Sequence, residues 1–146
     1  MSDGFLWLLA IGVAVGMVFY HRTGISPGGV ITPGVLAYSL GAPVRVAGAV
    51  AGAFGVWACL ELISRTIPLY GRQRIAFAMF LALVLRIALG SSVDSWYLWL
   101  GWAIPGLMAA DFQRQGPVVT LASSFSAAIA SAMAFSLITS ARGWLQ

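Results

Sequence analysis

Six apolar stretches, separated by short polar or glycine-rich segments, follow one another along the chain. They cover residues 5–20, 28–40, 44–63, 75–90, 96–110 and 118–138. An α-helix needs about 20 predominantly apolar residues to cross a hydrocarbon core about 30 Å thick. The pattern predicts an all-α integral membrane protein with about six transmembrane helices, in a single membrane domain over residues 1–146.

The second and fifth stretches are shorter than most of the others, and each contains a Pro-Gly pair. At about 1.5 Å rise per residue they would span only roughly 20 and 22 Å. The pairs are Pro33-Gly34 and Pro105-Gly106. Because proline lacks an N–H and its ring disturbs the preceding helical turn, a break is predicted at both places. Two interpretations stay open: freed backbone groups facing water or an anion, or kinks satisfied by neighbouring helices.

Similar residues follow the two pairs, which indicates two related halves. "PGVLA" precedes Gly41-Ala42-Pro43, and "PGLMA" precedes Gly116-Pro117. The halves cover residues 5–64 and 75–140, and each holds three predicted helices. With an odd number of helices per half, the second half enters the membrane from the opposite side. The chain is therefore predicted to be an inverted repeat.

Small residues at helical spacing predict where helices touch. Gly12 and Gly16 form one GxxxG pair, and Gly48 and Gly52 form another. Such pairs let two helix backbones approach closely within a membrane. The single cysteine, Cys59, lies in an apolar run, and a packed structural thiol is predicted there.

Composition agrees with a membrane protein and limits the function. Hydrophobic residues make up 60% of the chain and charged residues only 8%, against about 25% in soluble domains. The chain has eight arginines and no lysine, and these are too sparse for nucleic-acid binding, which needs clustered basic side chains on an exposed face. A membrane surface or an anionic polymer remains a compatible partner.

The arginines also predict an orientation. With the N-terminus outside, Arg22, Arg65, Arg72, Arg74 and Arg114 fall on the cytoplasmic side, and Arg45 and Arg142 fall outside. This split follows the positive-inside rule. Treating the short stretches as re-entrant loops with the N-terminus inside leaves four arginines against three, a weaker split. Six crossings with both termini outside are therefore preferred.

The remaining arginine, Arg86, is predicted to lie inside the membrane. It follows Arg74 by 12 residues, or about 18 Å along a helix. An ionisable residue at that depth is a functional-site candidate by default. Snorkelling to the outer face or pairing with Asp94 explains it equally well.

No arrangement of catalytic residues is visible. The one histidine, His21, has no cysteine or carboxylate at metal-ligand spacing, and the chain has neither a G-x-S-x-G elbow nor a P-loop. The sequence therefore predicts no catalytic residue, no metal site and no cofactor. Its polar residues at the predicted cytoplasmic side suit anionic lipid headgroups: Arg65 and residues 70–74 in one loop, with Arg22 and residues 113–115 in neighbouring ones. The glutamines beside Arg114 add directional donors that suit a carboxylate-rich ligand or an acidic partner protein.

Three stretches, "RTGISPGGVITPG", "LYGRQR" and "IPGLMAADFQRQG", are similar to the signature motifs of the CapC/PgsC family, the membrane subunit of poly-γ-glutamate synthesis. Their spacing is also similar, and the resemblance covers nearly the whole chain. It implies a multi-pass subunit of the bacterial cytoplasmic membrane that works with an ATP-dependent amide ligase and other capsule-synthesis subunits. The ligase, and not this chain, is then expected to bind ATP.

Under this resemblance, the chain is expected to be non-catalytic, to anchor the ligase and to accept or pass the anionic polymer across the membrane. An arginine fork matches a carboxylate with two parallel hydrogen bonds. The expected contacts with poly-γ-glutamate or the ligase are Arg22, Arg72, Arg74, Gln113, Arg114 and Gln115. The residues expected to shape a path between the halves are Pro33, Gly34, Pro105 and Gly106.

Six short helices are too few to enclose a wide channel. Homo-oligomers, or walls shared with another subunit, are therefore expected. Two alternatives stay open: a stand-alone secondary transporter of a small anionic substrate, and a scaffold without polymer contact.

Overall fold

The computed structural model describes residues 3–65, 71–88 and 96–143, and every regular element in these ranges is an α-helix. The helices are α1 (Asp3–Thr23), α2 (Thr32–Ser39), α3 (Pro43–Ser64), α4 (Arg72–Ala88), α5 (Trp96–Gln115) and α6 (Pro117–Gly143). Each predicted apolar stretch contains one helix or most of one. The predicted all-α class is confirmed.

Three of the described helices contain segments long and apolar enough to cross a membrane: Gly4–Thr23, Pro43–Ser64 and Pro117–Ala141. Large apolar side chains also lie on the outside of the bundle. The exposed fraction is 82% for Val44 and 77% for Val118. Such a surface is unfavourable in water and suits the hydrocarbon of a lipid bilayer. These are the features of a membrane protein, while crossing by all six helices stays a prediction.

The second helix, α2, is much shorter than the others. It has 8 residues and so covers about 12 Å, less than half of a hydrocarbon core. Pro33 stands in its first turn, where the missing N–H costs no helical hydrogen bond. The interruption in this half therefore lies ahead of the Pro-Gly pair, in the non-helical residues 24–31.

The prediction of a short, broken fifth helix is wrong. α5 has 20 residues and is helical on both sides of Pro105, so it covers about 30 Å. The proline removes one hydrogen bond of the helical ladder, and its ring packs at Gly52 of α3. A Cβ on Gly52 would lie 3.4 Å from two carbons of that ring. Residues 111–115, four of which are polar, extend the helix beyond its apolar stretch, where hydropathy gives no signal.

Glycine permits a close crossing between the first and second helices of each half. A Cβ on Gly12 would lie 2.2 Å from the Cα of Gly34, and one on Gly106 would lie 2.9 Å from the Cα of Met79. Real Cβ atoms essentially never approach that closely. Both Pro-Gly pairs therefore lie at places where two helix backbones touch.

The predicted contact faces are confirmed only in part. Gly16 faces the Pro33 ring, and Gly52 faces Pro105, but a Cβ on Gly48 would meet no described atom within 4 Å. Cys59 is exposed, so the predicted packed thiol is wrong. An apolar residue in a membrane helix can face lipid as readily as protein, and hydropathy does not separate the two cases.

The third helix of each half packs against the first two helices of the other half. One buried cluster joins α3 with α4 and α5: Val56, Leu60, Ala78, Ala82, Ala109 and Ala110. A second joins α6 with α1 and α2: Leu8, Leu36, Ala37 and Ala128. A third connects α2, α3 and α5: Val35, Ala53, Ile104, Met108 and Phe112. The core therefore runs through both halves.

Candidate functional site

Several helix ends meet at one end of the bundle. α3 and α5 run in the same direction, because Gly52 faces Pro105 while Glu61, further along α3, contacts Gln113, further along α5. α4 begins shortly after α3 ends, and α6 begins two residues after α5 ends. The ends of α3 and α5 and the starts of α4 and α6 therefore lie together.

α1 also ends here, because Ser26, three residues after Thr23, is hydrogen-bonded to Gln115. We call this region the arginine end and define it by the five arginines located there: Arg22, Arg65, Arg72, Arg74 and Arg114. Arg45, at the start of α3, and Arg142, near the end of α6, lie at the opposite end. The five arginines predicted to share the cytoplasmic side share one end of the molecule. The side of the membrane that this end faces stays a prediction.

Arg114 and Asp111 form an ion pair one helical turn apart, near the end of α5. The Nε atom of Arg114 lies 3.8 Å from Oδ1 of Asp111, and the two side chains are 52% and 14% exposed. The hydroxyl of Ser26 donates a hydrogen bond to the other carboxylate oxygen, Oδ2. Asp111 therefore faces partners within the protein, whereas the guanidinium of Arg114 reaches the surface.

The side-chain amide of Gln115 forms hydrogen bonds with both the backbone N–H and the backbone carbonyl of Ser26. Oε1 accepts a hydrogen bond from Ser26 N at 3.0 Å, while Nε2 donates to Ser26 O and, at 3.0 Å, to Thr120 Oγ1. Ser123 Oγ also donates to Ser26 O, at 3.2 Å. These bonds satisfy backbone groups that lack helical partners. Both N–H groups of Gln115 are used inside the protein, so in this arrangement it holds residues 24–31 in place.

Two glycines allow residues 24–31 to pack against α5 and α6. Gly28 has a φ of 74°, and a Cβ there would lie 2.9 Å from Met108 Cγ and from Ser124 Oγ. Gly29 has a φ of 99°, and its Cβ would lie 3.3 Å from Leu107. Both conformations are ones that other residues rarely adopt. The first and third signature stretches of the sequence are therefore in direct contact.

Gln113 links α5 to α3 at the arginine end. Its Nε2 lies 3.4 Å from Glu61 Oε2 and 3.4 Å from Ser64 Oγ. These hydrogen bonds are long and therefore weak. The Gln113 amide is thus held less firmly than that of Gln115, and it lies beside Arg114 on the helix.

The other predicted site residues fall into three groups. Arg22 and Arg72 are exposed at the arginine end, and Arg74 is half-buried there. The proposed path residues are buried in helix contacts: Pro33, Gly34, Pro105 and Gly106. The side chain of Arg86 lies outside the described part of the chain, as does its suggested partner Asp94.

Two residues of the site, Ser26 and Asp111, carry no signal in the hydropathy pattern. Asp111 is one of only four acids in the chain, and Ser26 stands in a polar turn. Beyond that, the sequence marks them only by their position within the first and third signature stretches. Their contact depends on how residues 24–31 fold back onto α5. Among the described residues, no group of three or more His, Cys, Asp and Glu side chains is placed to hold a metal ion.

Comparison with known proteins gives one consistent family. A family model described as capsule biosynthesis CapC matches residues 11–121. The PGA biosynthesis protein CapC of Bacillus subtilis (strain 168) is 28% identical over 130 residues, which cover 84% of this chain and 87% of that protein. The capsule biosynthesis protein CapC of Bacillus anthracis is 28% identical over 120 residues, covering 77% and 80% of the two chains. No solved structure matches at a comparable level.

Proposed function

The chain belongs to the capsule biosynthesis CapC family, and on that premise we propose that it is a membrane subunit of the machinery that makes poly-γ-glutamate. The names of its two relatives, a PGA biosynthesis protein and a capsule biosynthesis protein, support this role. Within the proposal an ATP-dependent amide ligase joins the glutamates. This chain is non-catalytic: it anchors the ligase and accepts or passes on the polymer.

The observation that carries the proposal is the arginine end. Poly-γ-glutamate bears one carboxylate per residue and is therefore a polyanion. Arg114 exposes a guanidinium, which can donate two parallel hydrogen bonds to a carboxylate. Arg22, Arg72 and Arg74 add positive charge at the same end, for the polymer or for an acidic surface of the ligase.

The arginine end is proposed to face the cytoplasm. The positive-inside rule favours that orientation, and the cytoplasm is where ATP and a ligase would meet the chain. Anionic lipid headgroups are a competing use for exposed arginines. Gln113 favours a ligand with directional acceptors, because its weakly held amide lies beside Arg114 and topology alone does not require an amide there.

The packing of the helices supports an inverted repeat as the architecture. α2 packs against α1 and α6, while α5 packs against α4 and α3, as a twofold relation between the halves requires. Gly34 and Gly106 lie at equivalent crossings in the two halves. Because both Pro-Gly pairs are buried between helices, we place the export path along a surface of this chain. Further copies or other subunits would complete its walls.

The variant Arg114→Lys tests the polymer contact. Lysine keeps the charge but loses the planar fork. In membrane vesicles supplied with ligase, glutamate and ATP, polymer yield is expected to fall about tenfold, the effect of losing one charge-assisted hydrogen bond, while the ligase still co-purifies. Arg45→Lys makes the same change at an exposed arginine of the opposite end and is the control. Equal yields from both variants in intact complexes would contradict the contact.

A stand-alone secondary transporter of a small anion is the second candidate, favoured by the same exchange of third helices between the halves. The purified chain, reconstituted alone in liposomes, distinguishes the two functions. Counterflow of labelled glutamate without any other subunit would favour the transporter. Polymer formation that requires both this chain and the ligase would favour the synthase subunit.

A further inference from the structure

A carboxylate lies directly beside the arginine proposed to bind polymer carboxylates. A negative charge at this place would repel a polyanion if it faced the ligand. Asp111 is instead only 14% exposed, and its two oxygens face Ser26 and Arg114. Its charge is therefore directed at groups of the protein.

The atom of Arg114 that faces Asp111 determines which edge of the guanidinium remains for a ligand. Asp111 approaches Nε, at 3.8 Å, and Nε belongs to the side edge of the group. The end edge, formed by the two terminal nitrogens, can then receive a carboxylate through two parallel hydrogen bonds. We propose that Asp111 is a positioning residue that turns this end edge toward a polymer carboxylate. The inference rests on the proposed function.

Asp111 is itself hydrogen-bonded to Ser26, which belongs to the non-helical residues 24–31. The hydroxyl of Ser26 accepts a hydrogen bond from Gly29 N at 3.3 Å and donates its own hydrogen to Asp111. The Gln115 amide fixes the backbone of Ser26. The order of support therefore runs from Gln115 to Ser26, then to Asp111 and finally to Arg114. This order gives the contact between the first and third signature stretches a role in the site.

The variant Asp111→Asn tests the effect of the negative charge of Asp111 alone. Asparagine keeps an acceptor oxygen for Ser26 and removes the negative charge that faces Arg114. In the full synthase complex, the half-saturating concentration of purified poly-γ-glutamate is expected to rise roughly two- to fivefold, the range of an exposed ion pair. Glu61→Gln removes the other described carboxylate at the arginine end, an exposed one, keeps an acceptor oxygen for Gln113, and is expected not to weaken binding. Weaker binding by Asp111→Asn but not by Glu61→Gln, two equal changes of charge, distinguishes positioning from repulsion.

A double variant separates positioning from a structural role. Because Asp111 acts through Arg114, Asp111→Asn combined with Arg114→Gln should bind no more weakly than Arg114→Gln alone. Additive losses would overturn the inference, as would tighter binding by Asp111→Asn, which would make the aspartate a competitor of the polymer. Failure of Asp111→Asn to assemble, measured by size-exclusion chromatography, would also overturn it.

The same measurements separate this inference from the proposed function. If Arg114→Gln weakens binding and Asp111→Asn does not, only the positioning role fails. If Arg114→Gln binds as the unchanged chain does, the polymer contact itself fails, and the positioning role fails with it.

Discussion

Removing the Gln115 amide tests how the non-helical residues 24–31 are held. Gln115→Ala deletes one hydrogen bond from Ser26 N and two donated by Nε2, to Ser26 O and Thr120 Oγ1. Ser26 O keeps the bond from Ser123, and Thr120 keeps its own donation to Gly116 O. The backbone N–H of Ser26 is the group that loses its hydrogen-bond acceptor.

The magnitude follows from these three losses. An unsatisfied, partly buried N–H costs about 1–3 kcal/mol, and each of the other two bonds contributes about 0.5–1.5 kcal/mol. Ser26 is only partly buried, so water compensates in part. Gln115→Ala is therefore expected to lower the free energy of unfolding by about 2–4 kcal/mol. Gln115→Glu keeps an acceptor for Ser26 N but places a carboxylate oxygen, which cannot donate a hydrogen bond, against Ser26 O. A similar loss of unfolding free energy is expected.

Unfolding of the purified chain in mixed detergent micelles, titrated with a denaturing detergent, measures this loss. Gln73→Ala removes an exposed glutamine of α4 and is the matched control, expected within about 0.5 kcal/mol of the unchanged chain. If Gln115→Ala stays within the same limit, the amide does not hold the segment and the reasoning is refuted.

Two further predictions concern packing and assembly. Gly12→Ala is expected to cost at least about 2 kcal/mol, because its Cβ would lie 2.2 Å from Gly34 Cα, whereas Gly48→Ala meets no described atom within 4 Å and is expected to be neutral. Equal melting temperatures of the two variants in detergent would contradict the crossing. Replacing Arg72 and Arg74 together with glutamine is expected to weaken recovery of the ligase several-fold in co-purification. Unchanged recovery would favour lipid headgroups as their partner.

Much of the fold is readable from the sequence because a bilayer imposes simple rules. Apolar stretches predict the six helices, and the arginine distribution predicts which helix ends lie at the same end of the bundle. Gly12 and Gly16 mark a real helix contact, since small residues are what allow backbones to approach in a membrane. The signature stretches identify the family, which the comparisons confirm.

The errors have identifiable physical causes. Pro105 does not end its helix, because the rest of the hydrogen-bond ladder is kept and the ring packs at Gly52. The hydropathy of residues 24–31 cannot show that their backbone is satisfied by a side chain from α5. Asp111 and Ser26 are distant in sequence, and only the folding of that segment brings them together. Tertiary contacts of this kind leave no periodic pattern.

Photo-crosslinking at the arginine end tests the central claim most directly. A photoreactive amino acid replaces Gln113, and the complex is irradiated while the ligase joins labelled glutamate in the presence of ATP. The same replacement at Val44, which is 82% exposed at the start of α3, reports on the opposite end. The account predicts ATP-dependent transfer of labelled polymer to position 113, stronger than at position 44. Polymer made at the normal rate without label at position 113 would contradict it.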